Sequence, residues 1–402
     1  MSARAARLFL ALAALLLAAP AGALAQRPDV SAQAAIAVEA STGDVVFERN
    51  ADDRRAIAST TKLMTALLAL DTVALDDTLA AAAYAAGPAE SLVGLREGER
   101  MRVADLLRAL LLPSANDAAW TLATRISGSV PQFVEEMNAR AKELGLERTS
   151  FGNPVGLDEP TNRSTARDLV RLALVLRRDE FFRETVNRPR ATLRSGARPR
   201  TVVNRNRLVR DHPFVNGVKT GRTLQAGYVL VGSATRDGVT VVSAVLGEPS
   251  EAARDADTLA LLRYGLSRYR RTDVVKRDAV LARARLKYRD ERVRLVAAED
   301  VRHVLRRGEE ARVRVTGAPK ELEGPLAAGS RVGEVEVRVR GRTVARTPLV
   351  TATAVTEASV SERVADVLSR PAALLLVALL LACTVSLVLL RRRVTRRAGS
   401  LR

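Results

Sequence analysis

The chain has 402 residues, 47% of them hydrophobic, which is enough for two or three domains with buried cores. Its formal charge is +19, but aromatic residues make up only 3% and no recognition motif accompanies the arginines, so the charge does not indicate a nucleic-acid partner. One cysteine and two scattered histidines, His212 and His303, argue against a disulfide framework, a Ser-His-Asp triad and a zinc hydrolase. We expect no metal site and no cofactor.

The opening segment, residues 1–25, has the pattern of a secretory signal. Arg4 and Arg7 provide a charged start, residues 8–19 form an apolar run too short to span a membrane, and residues 23–25 form an A-x-A cleavage motif. The sequence therefore predicts a signal peptide over residues 1–25 and an exported mature protein.

A second apolar stretch, residues 371–390, contains no charged residue and is long enough to cross about 30 Å of hydrocarbon at about 1.5 Å per residue. Three arginines follow it at once, so the positive-inside rule places the tail, residues 391–402, in the cytoplasm. We therefore expect a single-pass protein of the cell membrane with residues 26–370 outside the cytoplasm. A buried C-terminal core helix is the alternative.

The first domain is expected to open with two short strands over residues 34–50 and to continue into a helix at residues 58–70. Ser59 and Lys62 are three positions apart, so a helix places them on one face. The apolar residues that follow would bury this helix, and a buried lysine favours its neutral form and can act as a base. The alternative is that Ser59 only caps the helix.

A second polar motif lies between two apolar helices. The helical spacing of residues 103–111 ends at Pro113, so Ser114 and Asn116 are expected on a connection that faces a cleft. An ordinary N-cap for the next helix is the alternative interpretation, and it is compatible with a functional one.

The rest of this domain, which we bound at residues 26–271, combines helices and antiparallel strands. Its predicted elements are an amphipathic helix at 134–144, a turn-rich loop at 151–168, three strand-like pieces at 215–221, 228–234 and 239–246, and a closing helix at 258–269. A third polar motif, Lys219-Thr220-Gly221, ends the first of these strand-like pieces.

Residues 272–355 are expected to form a small all-β domain without a catalytic constellation. The predicted strands include residues 274–275, 293–295, 311–315, 332–339 and 343–345. Residues 356–370 then form a linker whose apolar stripe (Val360, Val364, Val367, Leu368) predicts a short amphipathic helix.

The three polar motifs occur in one order within one exported domain, and together they form the serine-lysine signature of penicillin-binding proteins and class A β-lactamases. The chain resembles the low-molecular-mass penicillin-binding proteins of the D-alanyl-D-alanine carboxypeptidase type. Further stretches carry the resemblance: residues 94–99, 153–158, 164–169, 204–206, 217–227 and, in the β domain, 325–333. The resemblance implies an α+β transpeptidase fold, an antiparallel sheet with helices on both sides, followed by a small β domain and a membrane anchor.

The resemblance also implies the reaction. Ser59 would attack the D-Ala-D-Ala peptide bond of peptidoglycan stem peptides to give an acyl-enzyme, and β-lactam antibiotics would acylate the same serine. Lys62 would take the serine proton, Ser114 would relay a proton to the leaving amine, and Asn116 would hold Lys62 and the substrate amide.

The remaining site residues follow from the same resemblance. Lys219 and Thr220 would receive the substrate carboxylate, and Gly221 would let the substrate backbone approach the strand. The backbone N–H groups of Ser59 and Arg222 would hold the oxyanion. Arg205 and Arg254 also match family positions near the carboxylate.

Two positions depart from the family pattern, which usually has glycine where Ala115 stands and often histidine or an aromatic residue where Arg222 stands. Three other functions share some of these features. A class A β-lactamase adds a glutamate in an E-P-x-x-N loop, and Glu159-Pro160-Thr161-Asn162 is one residue short of that pattern, which we interpret as coincidence. A DD-endopeptidase would use the same site, and a cell-wall scaffold would use no chemistry.

Overall fold

The computed structural model describes residues 26–398, with side chains up to residue 392. The predicted signal peptide, residues 1–25, and the last four residues of the predicted tail lie outside the described residues. The chain forms two compact units, of which one ends at Arg271 and the other begins at Thr272.

The first unit contains eleven strands and eight helices among its described residues. The strands are β1 (Ala34–Glu39), β2 (Val45–Arg49), β3 (Arg55–Ala56), β4 (Thr78–Ala80), β5 (Arg100–Arg102), β6 (Arg163–Ser164), β7 (Arg190–Leu193), β8 (Arg200–Val203), β9 (Val215–Thr223), β10 (Gly227–Arg236) and β11 (Val239–Glu248). The helices are α1 (Lys62–Thr72), α2 (Val103–Leu111), α3 (Asn116–Ser127), α4 (Val130–Glu143), α5 (Ala166–Leu176), α6 (Glu180–Val186), α7 (Leu208–Asp211) and α8 (Glu251–Arg268).

A five-stranded antiparallel sheet of order β2-β1-β11-β10-β9 forms the centre of this unit. All six residues of β1 are buried, as expected for a strand covered on both faces. Alternate residues of β11 serve the two faces: Val242 packs into the core that contains α1 and α5, whereas Val241 contacts Gly265 of α8. The predicted fold, an antiparallel sheet with helices on both sides, is confirmed.

Helix α1 crosses the larger core and is buried from Lys62 to Ala69. Ser59 lies ahead of it, in a 3-10 turn over Ala58–Thr61. Neither this turn nor α1 has a side-chain cap, so Ser59 does not act as the helix cap that the alternative interpretation required. The predicted helix therefore begins at Lys62, and Ser59 belongs to the tight turn that leads into it.

Two regions of the first unit differ from the sequence prediction. The closing helix begins at Glu251 instead of residue 258, because the Ser250 side chain accepts a hydrogen bond from Ala253 N and caps it there. The sequence predicts no element in the arginine-rich stretch after Leu176, whereas the structure has α6, the β7–β8 hairpin and α7 there. These elements are too short for a periodic pattern to identify them.

The second unit is mostly β-structure. The strand β12 (Tyr269–Val275) crosses the boundary between the units and pairs with β15 (Val301–Arg306). A six-stranded sheet of order β16-β18-β19-β14-β13-β17 comprises β13 (Val280–Leu286), β14 (Arg292–Ala297), β16 (Arg312–Thr316), β17 (Glu321–Leu322), β18 (Arg331–Val339) and β19 (Arg342–Thr351). The sequence prediction of an all-β domain is confirmed, although it missed β13, β15 and β17.

Two helices follow the β-structure: α9 (Val360–Ser369), which is the predicted amphipathic helix, and α10 (Pro371–Ala398). Within α10, the segment Pro371–Arg392 is long and apolar enough to cross a membrane. None of this segment is buried in the protein, so the alternative of a core helix is wrong.

Candidate active site

A cleft of about 860 Å³ opens in the first unit. Its walls carry seven of the residues predicted from the sequence: Ser59, Ser114, Arg205, Thr220, Gly221, Arg222 and Arg254. The other three, Lys62, Asn116 and Lys219, are buried behind these walls. The turn before α1, the α2–α3 connection and strand β9 thus supply the three motifs to one place.

Lys62 is fully buried at the first position of α1, and its Nζ lies 3.1 Å from Ser59 Oγ. Burial withdraws the amine from water and lowers the pKa of Lys62 to about 7, although the nearby Glu90 carboxylate acts in the opposite direction. A large fraction of this lysine is therefore neutral at neutral pH and can accept a proton.

The other partners of Lys62 fix the direction of that proton transfer. Nζ donates hydrogen bonds to Asn116 Oδ1 at 2.6 Å and to Val155 O at 2.5 Å. A neutral amine has two N–H bonds and one lone pair. Because the two short contacts use both N–H bonds, the lone pair remains for the third and longest contact, the hydroxyl of Ser59.

The backbone just before Ser59 has a conformation that residues with a side chain rarely adopt. Ala58 has φ +47°, in the left-handed region. Gly156 packs closely against this turn, because a Cβ built at Gly156 would lie 2.2 Å from Ala58 O and 2.9 Å from Ser59 Cα. The loop that carries Gly156 also supplies Val155 O to Lys62, so one loop supports both partners of the Ser59–Lys62 pair.

Ser114 is the second strained residue, with φ +68°. Its Oγ is buried, and no described residue forms a hydrogen bond with it. The α2–α3 connection, which carries Ser114, is held by a backbone hydrogen bond that Asn116 N donates to Ser91 O at 2.7 Å. A buried hydroxyl without a partner at the wall of a cleft is available to a ligand.

Lys219 lies on β9 and is buried, and its Nζ donates to Thr220 O at 3.0 Å. Burial lowers its pKa well below the usual value, and the neighbouring cationic groups, Lys62 first among them, act in the same direction. Thr220 and Gly221 follow it along the strand and face the cleft.

Two protein-family models match most of the chain. The family model for D-alanyl-D-alanine carboxypeptidase matches residues 21–250, and that for the C-terminal domain of penicillin-binding protein 5 matches residues 269–357. The chain belongs to the D-alanyl-D-alanine carboxypeptidase family. The family assignment and the serine-peptidase class predicted from the three motifs are therefore confirmed.

Relatives of this carboxypeptidase family cover most of the chain. D-alanyl-D-alanine carboxypeptidase DacC of Escherichia coli is 33% identical over 357 residues, which are 85% of this chain and 88% of the relative. D-alanyl-D-alanine carboxypeptidase DacF of Bacillus subtilis is 31% identical over 331 residues, 79% of this chain and 84% of the relative. The crystal structure of penicillin-binding protein 5 from Haemophilus influenzae aligns with a TM-score of 0.60 at 32% identity, covering 83% of this chain and all of the other.

The three arginines proposed for this carboxypeptidase site differ in their surroundings. Arg205 is exposed on the cleft wall, and its backbone N–H donates a hydrogen bond to Leu112 O at 3.0 Å. The Arg222 guanidinium lies 5.1 Å from the centre of the Tyr228 ring. Arg254 is nearly buried and already paired with Glu251 and Asp255, at 3.0 and 2.7 Å.

The Glu159 loop has a structural role in this chain. Glu159 Oε1 accepts a hydrogen bond from Asn153 Nδ2 at 2.9 Å, and Asn162 Nδ2 donates to Thr61 Oγ1 at 3.1 Å. These bonds hold the loop to itself and to the turn before α1. The carboxylate that connects to Lys62 is a different one.

That carboxylate, Glu90, was missed from the sequence. Glu90 Oε2 accepts a hydrogen bond from Asn116 Nδ2 at 2.6 Å, and the Tyr84 hydroxyl also donates to Oε2. Glu90 stands in an alanine-rich stretch, and its partner lies 26 positions away, so no local pattern could have identified it. Tyr228 was also missed, because it lies in a strand and is paired with Arg222 across the β9–β10 hairpin, and nothing in a strand pattern indicates that contact.

Proposed function

We propose that this chain removes the terminal D-alanine from peptidoglycan stem peptides through a Ser59 acyl-enzyme, and that β-lactams acylate the same serine. The observation that carries the proposal is the contact of 3.1 Å between Lys62 Nζ and Ser59 Oγ, with Lys62 buried and its pKa lowered to about 7.

Acylation begins when Ser59 Oγ attacks the carbonyl carbon between the two D-alanines while its proton passes to the Lys62 lone pair. The oxyanion that forms accepts hydrogen bonds from the backbone N–H groups of Ser59 and Arg222. As the C–N bond breaks, the proton passes from Lys62 through the Ser114 hydroxyl to the leaving amine. The unpartnered Ser114 hydroxyl supports this relay.

Deacylation repeats the sequence with water as the nucleophile. Lys62 takes a proton from water as the C–O bond forms, and the ester bond to Ser59 Oγ then breaks with return of the proton to the serine. Asn116 keeps Lys62 in place throughout, because its Oδ1 accepts a hydrogen bond from one Lys62 N–H group.

The substrate is recognised through its C-terminal carboxylate. An approaching carboxylate raises the pKa of the buried Lys219, which then keeps a proton and supplies positive charge from behind β9. The Thr220 hydroxyl donates to the carboxylate. Arg205 and Arg222 add positive charge at the mouth of the cleft. Because Arg254 is already paired with two carboxylates, its contribution is weaker and depends on release from Glu251.

The domain and membrane arrangement is part of the same proposal. A signal peptide (residues 1–25) exports a catalytic domain (26–271), a β domain (272–355) and a linker (356–370), and the helix at 371–390 anchors them with residues 391–402 in the cytoplasm. The hydropathy of residues 371–390 and the arginines that follow this stretch support this orientation. Protease added to intact cells should digest the catalytic domain and spare an epitope fused after residue 402.

Release of D-alanine from a stem-peptide analogue tests the proposed activity. The purified protein should release one D-alanine per peptide, and Ser59→Ala should release none. On cross-linked muropeptides the same preparation should cut little. Efficient cleavage of cross-links without release of terminal D-alanine would identify an endopeptidase, and no cleavage of either would favour a scaffold.

A further inference from the structure

Glu90 lies on the segment between β4 and β5 and has no role in the mechanism above. We propose that Glu90 is a positioning residue: its carboxylate holds the Asn116 amide in the one orientation that leaves Lys62 able to act as a base. The inference deepens the proposed function and rests on it, because it concerns the same acylation step.

The argument begins with the donors and acceptors. A carboxylate can only accept hydrogen bonds, so the amide group that faces Glu90 Oε2 at 2.6 Å must be the NH₂ of Asn116. The amide oxygen is then directed at Lys62 Nζ, 2.6 Å away. Glu90 thereby removes the ambiguity that an asparagine side chain otherwise has.

The orientation matters for the base. With Asn116 Oδ1 facing it, the neutral Lys62 amine donates an N–H to Asn116 and keeps its lone pair for Ser59. If the amide were turned over, its NH₂ would donate to the same lone pair, and Lys62 could not accept the serine proton.

Glu90 is itself held in place. Its Oε1 accepts a hydrogen bond from Gly87 N at 2.8 Å, and its Oε2 accepts one from the Tyr84 hydroxyl. The Tyr84 ring packs against Trp120 of α3 with a centroid distance of 5.4 Å, and α3 is the helix that begins at Asn116. The same helix therefore holds both ends of the Glu90–Asn116 contact.

The charge of Glu90 also acts on Lys62. The charged groups that influence Lys62 are Glu90 and Asp117, which raise its pKa, and Arg205, which lowers it. The Lys219 amine is also close, and burial lowers its own pKa. Glu90 is the largest of these influences after burial, and its own lowered pKa keeps it ionised at neutral pH. Removing its charge therefore makes Lys62 lose its proton at a lower pH.

Three substitutions separate the contact from the charge. Glu90→Gln has a side chain of the same length with an oxygen that can accept the Asn116 hydrogen bond, but it lacks the charge. Glu90→Asp keeps the charge, but its shorter side chain does not extend to Asn116. Glu97→Gln removes a charge from an exposed residue of the same β4–β5 connection and serves as the control. For each, the rate constant of acylation by a labelled penicillin is measured from pH 5 to pH 9 in the full-length protein, together with the melting temperature.

We expect Glu90→Gln to shift the acid limb of the pH profile to lower pH by about half to one unit, because the pKa of Lys62 falls when the Glu90 charge is removed. Glu90→Asp should leave the limb in place and lower the maximum about 10-fold or more, because Asn116 loses its support. Glu97→Gln should change neither.

Unshifted profiles and unchanged maxima in both Glu90 variants would overturn the inference, as would equal losses of rate in both without any shift, which a merely structural residue would give. If Glu90→Gln does not fold, a wild-type maximum in Glu90→Asp would be enough to overturn it. Failure of the proposed function looks different, because the wild-type protein would then not be acylated at all.

Discussion

Gly221 of β9 passes so close to the turn before α1 that a Cβ at this position would lie 3.0 Å from Ser59 N. The same Cβ would lie 3.0 Å from Ala58 Cβ and 3.2 Å from Ile57 O. The strand and the turn thus meet backbone to backbone beside the nucleophile. The absence of a side chain here keeps the space in front of the Ser59 N–H group open to a substrate oxygen.

Gly221→Ala is expected to slow acylation by penicillin about 10- to 100-fold, because the added methyl group moves β9, with the Arg222 N–H, away from the Ser59 N–H and so separates the two oxyanion donors. The strand remains paired with β10 on its other side, so the melting temperature should fall by only a few degrees. Acylation rates and thermal melting measured on the same preparation test this. Gly43→Ala adds a methyl group at a turn outside the cleft, where the new Cβ meets nothing, and as the control it should leave the acylation rate unchanged. An unaltered acylation rate in Gly221→Ala would show that the close approach has no role in the reaction.

The acylation rate should rise with pH and level off above a midpoint near 7, the pKa to which burial lowers Lys62. The sign follows from the role: only the neutral amine accepts the Ser59 proton, so protonation of Lys62 at low pH removes the base. Lys62→Arg keeps a positive side chain that cannot lose its proton and should abolish acylation at every pH. Retention of more than a few per cent of the rate in Lys62→Arg would rule out Lys62 as the base.

Glu159→Gln tests the alternative of a class A β-lactamase. Because Glu159 bonds to Asn153 within its own loop, the substitution should leave the lifetime of the penicilloyl-enzyme unchanged, measured as the return of activity after excess antibiotic is removed. In a β-lactamase this glutamate activates the deacylating water, and its loss would prolong the acyl-enzyme manyfold. Such a prolongation would show that the resemblance to the E-P-x-x-N loop is functional.

Stability should decline as pH rises from about 4.5 to about 7, through the titration of Glu248. Burial raises the pKa of this carboxyl to about 7. Its Oε2 accepts a hydrogen bond from Ser31 Oγ, which also donates to Asp257. A raised pKa means that the folded protein holds the proton more tightly than the unfolded chain, so stability is greatest below the unfolded pKa and is lost on deprotonation.

The neutral substitution Glu248→Gln should therefore flatten this part of the stability profile and raise the melting temperature above pH 7. Glu147→Gln, at an exposed position, is the control and should retain the wild-type profile. Parallel melting curves of the two variants across pH 4.5–8 make the comparison, and equal pH dependence in both would contradict the assignment to Glu248.

Much of the fold was predictable because it depends on local patterns. The apolar runs of α1 and α2, the three strands β9–β11 and the apolar stretch at residues 371–390 all follow from periodicity or hydropathy. The short elements between α5 and β9 were not predicted, because helices and strands of four to seven residues are held by tertiary contacts.

The same division applies to the candidate site. Ser59, Ser114 and Lys219 were found because each lies in a short motif. Glu90 was not, because it reaches the site through a contact with Asn116, which is 26 positions away. Tyr228 was not, because a strand pattern does not distinguish an aromatic residue that stacks on Arg222 from any other strand residue. The tight turn at Ala58 also escaped prediction, since its conformation depends on Gly156, almost a hundred positions away.

The most direct test of the account is the location of a penicilloyl group in the labelled protein. Trypsin cleavage after Arg55 and Lys62 releases residues 56–62, a peptide that contains Ser59 together with Thr60 and Thr61. Fragment-ion mass spectrometry should find one penicilloyl group on Ser59 that persists for minutes, and none in Ser59→Ala. A penicilloyl group on any other residue, or no adduct in the wild-type protein, would contradict the account.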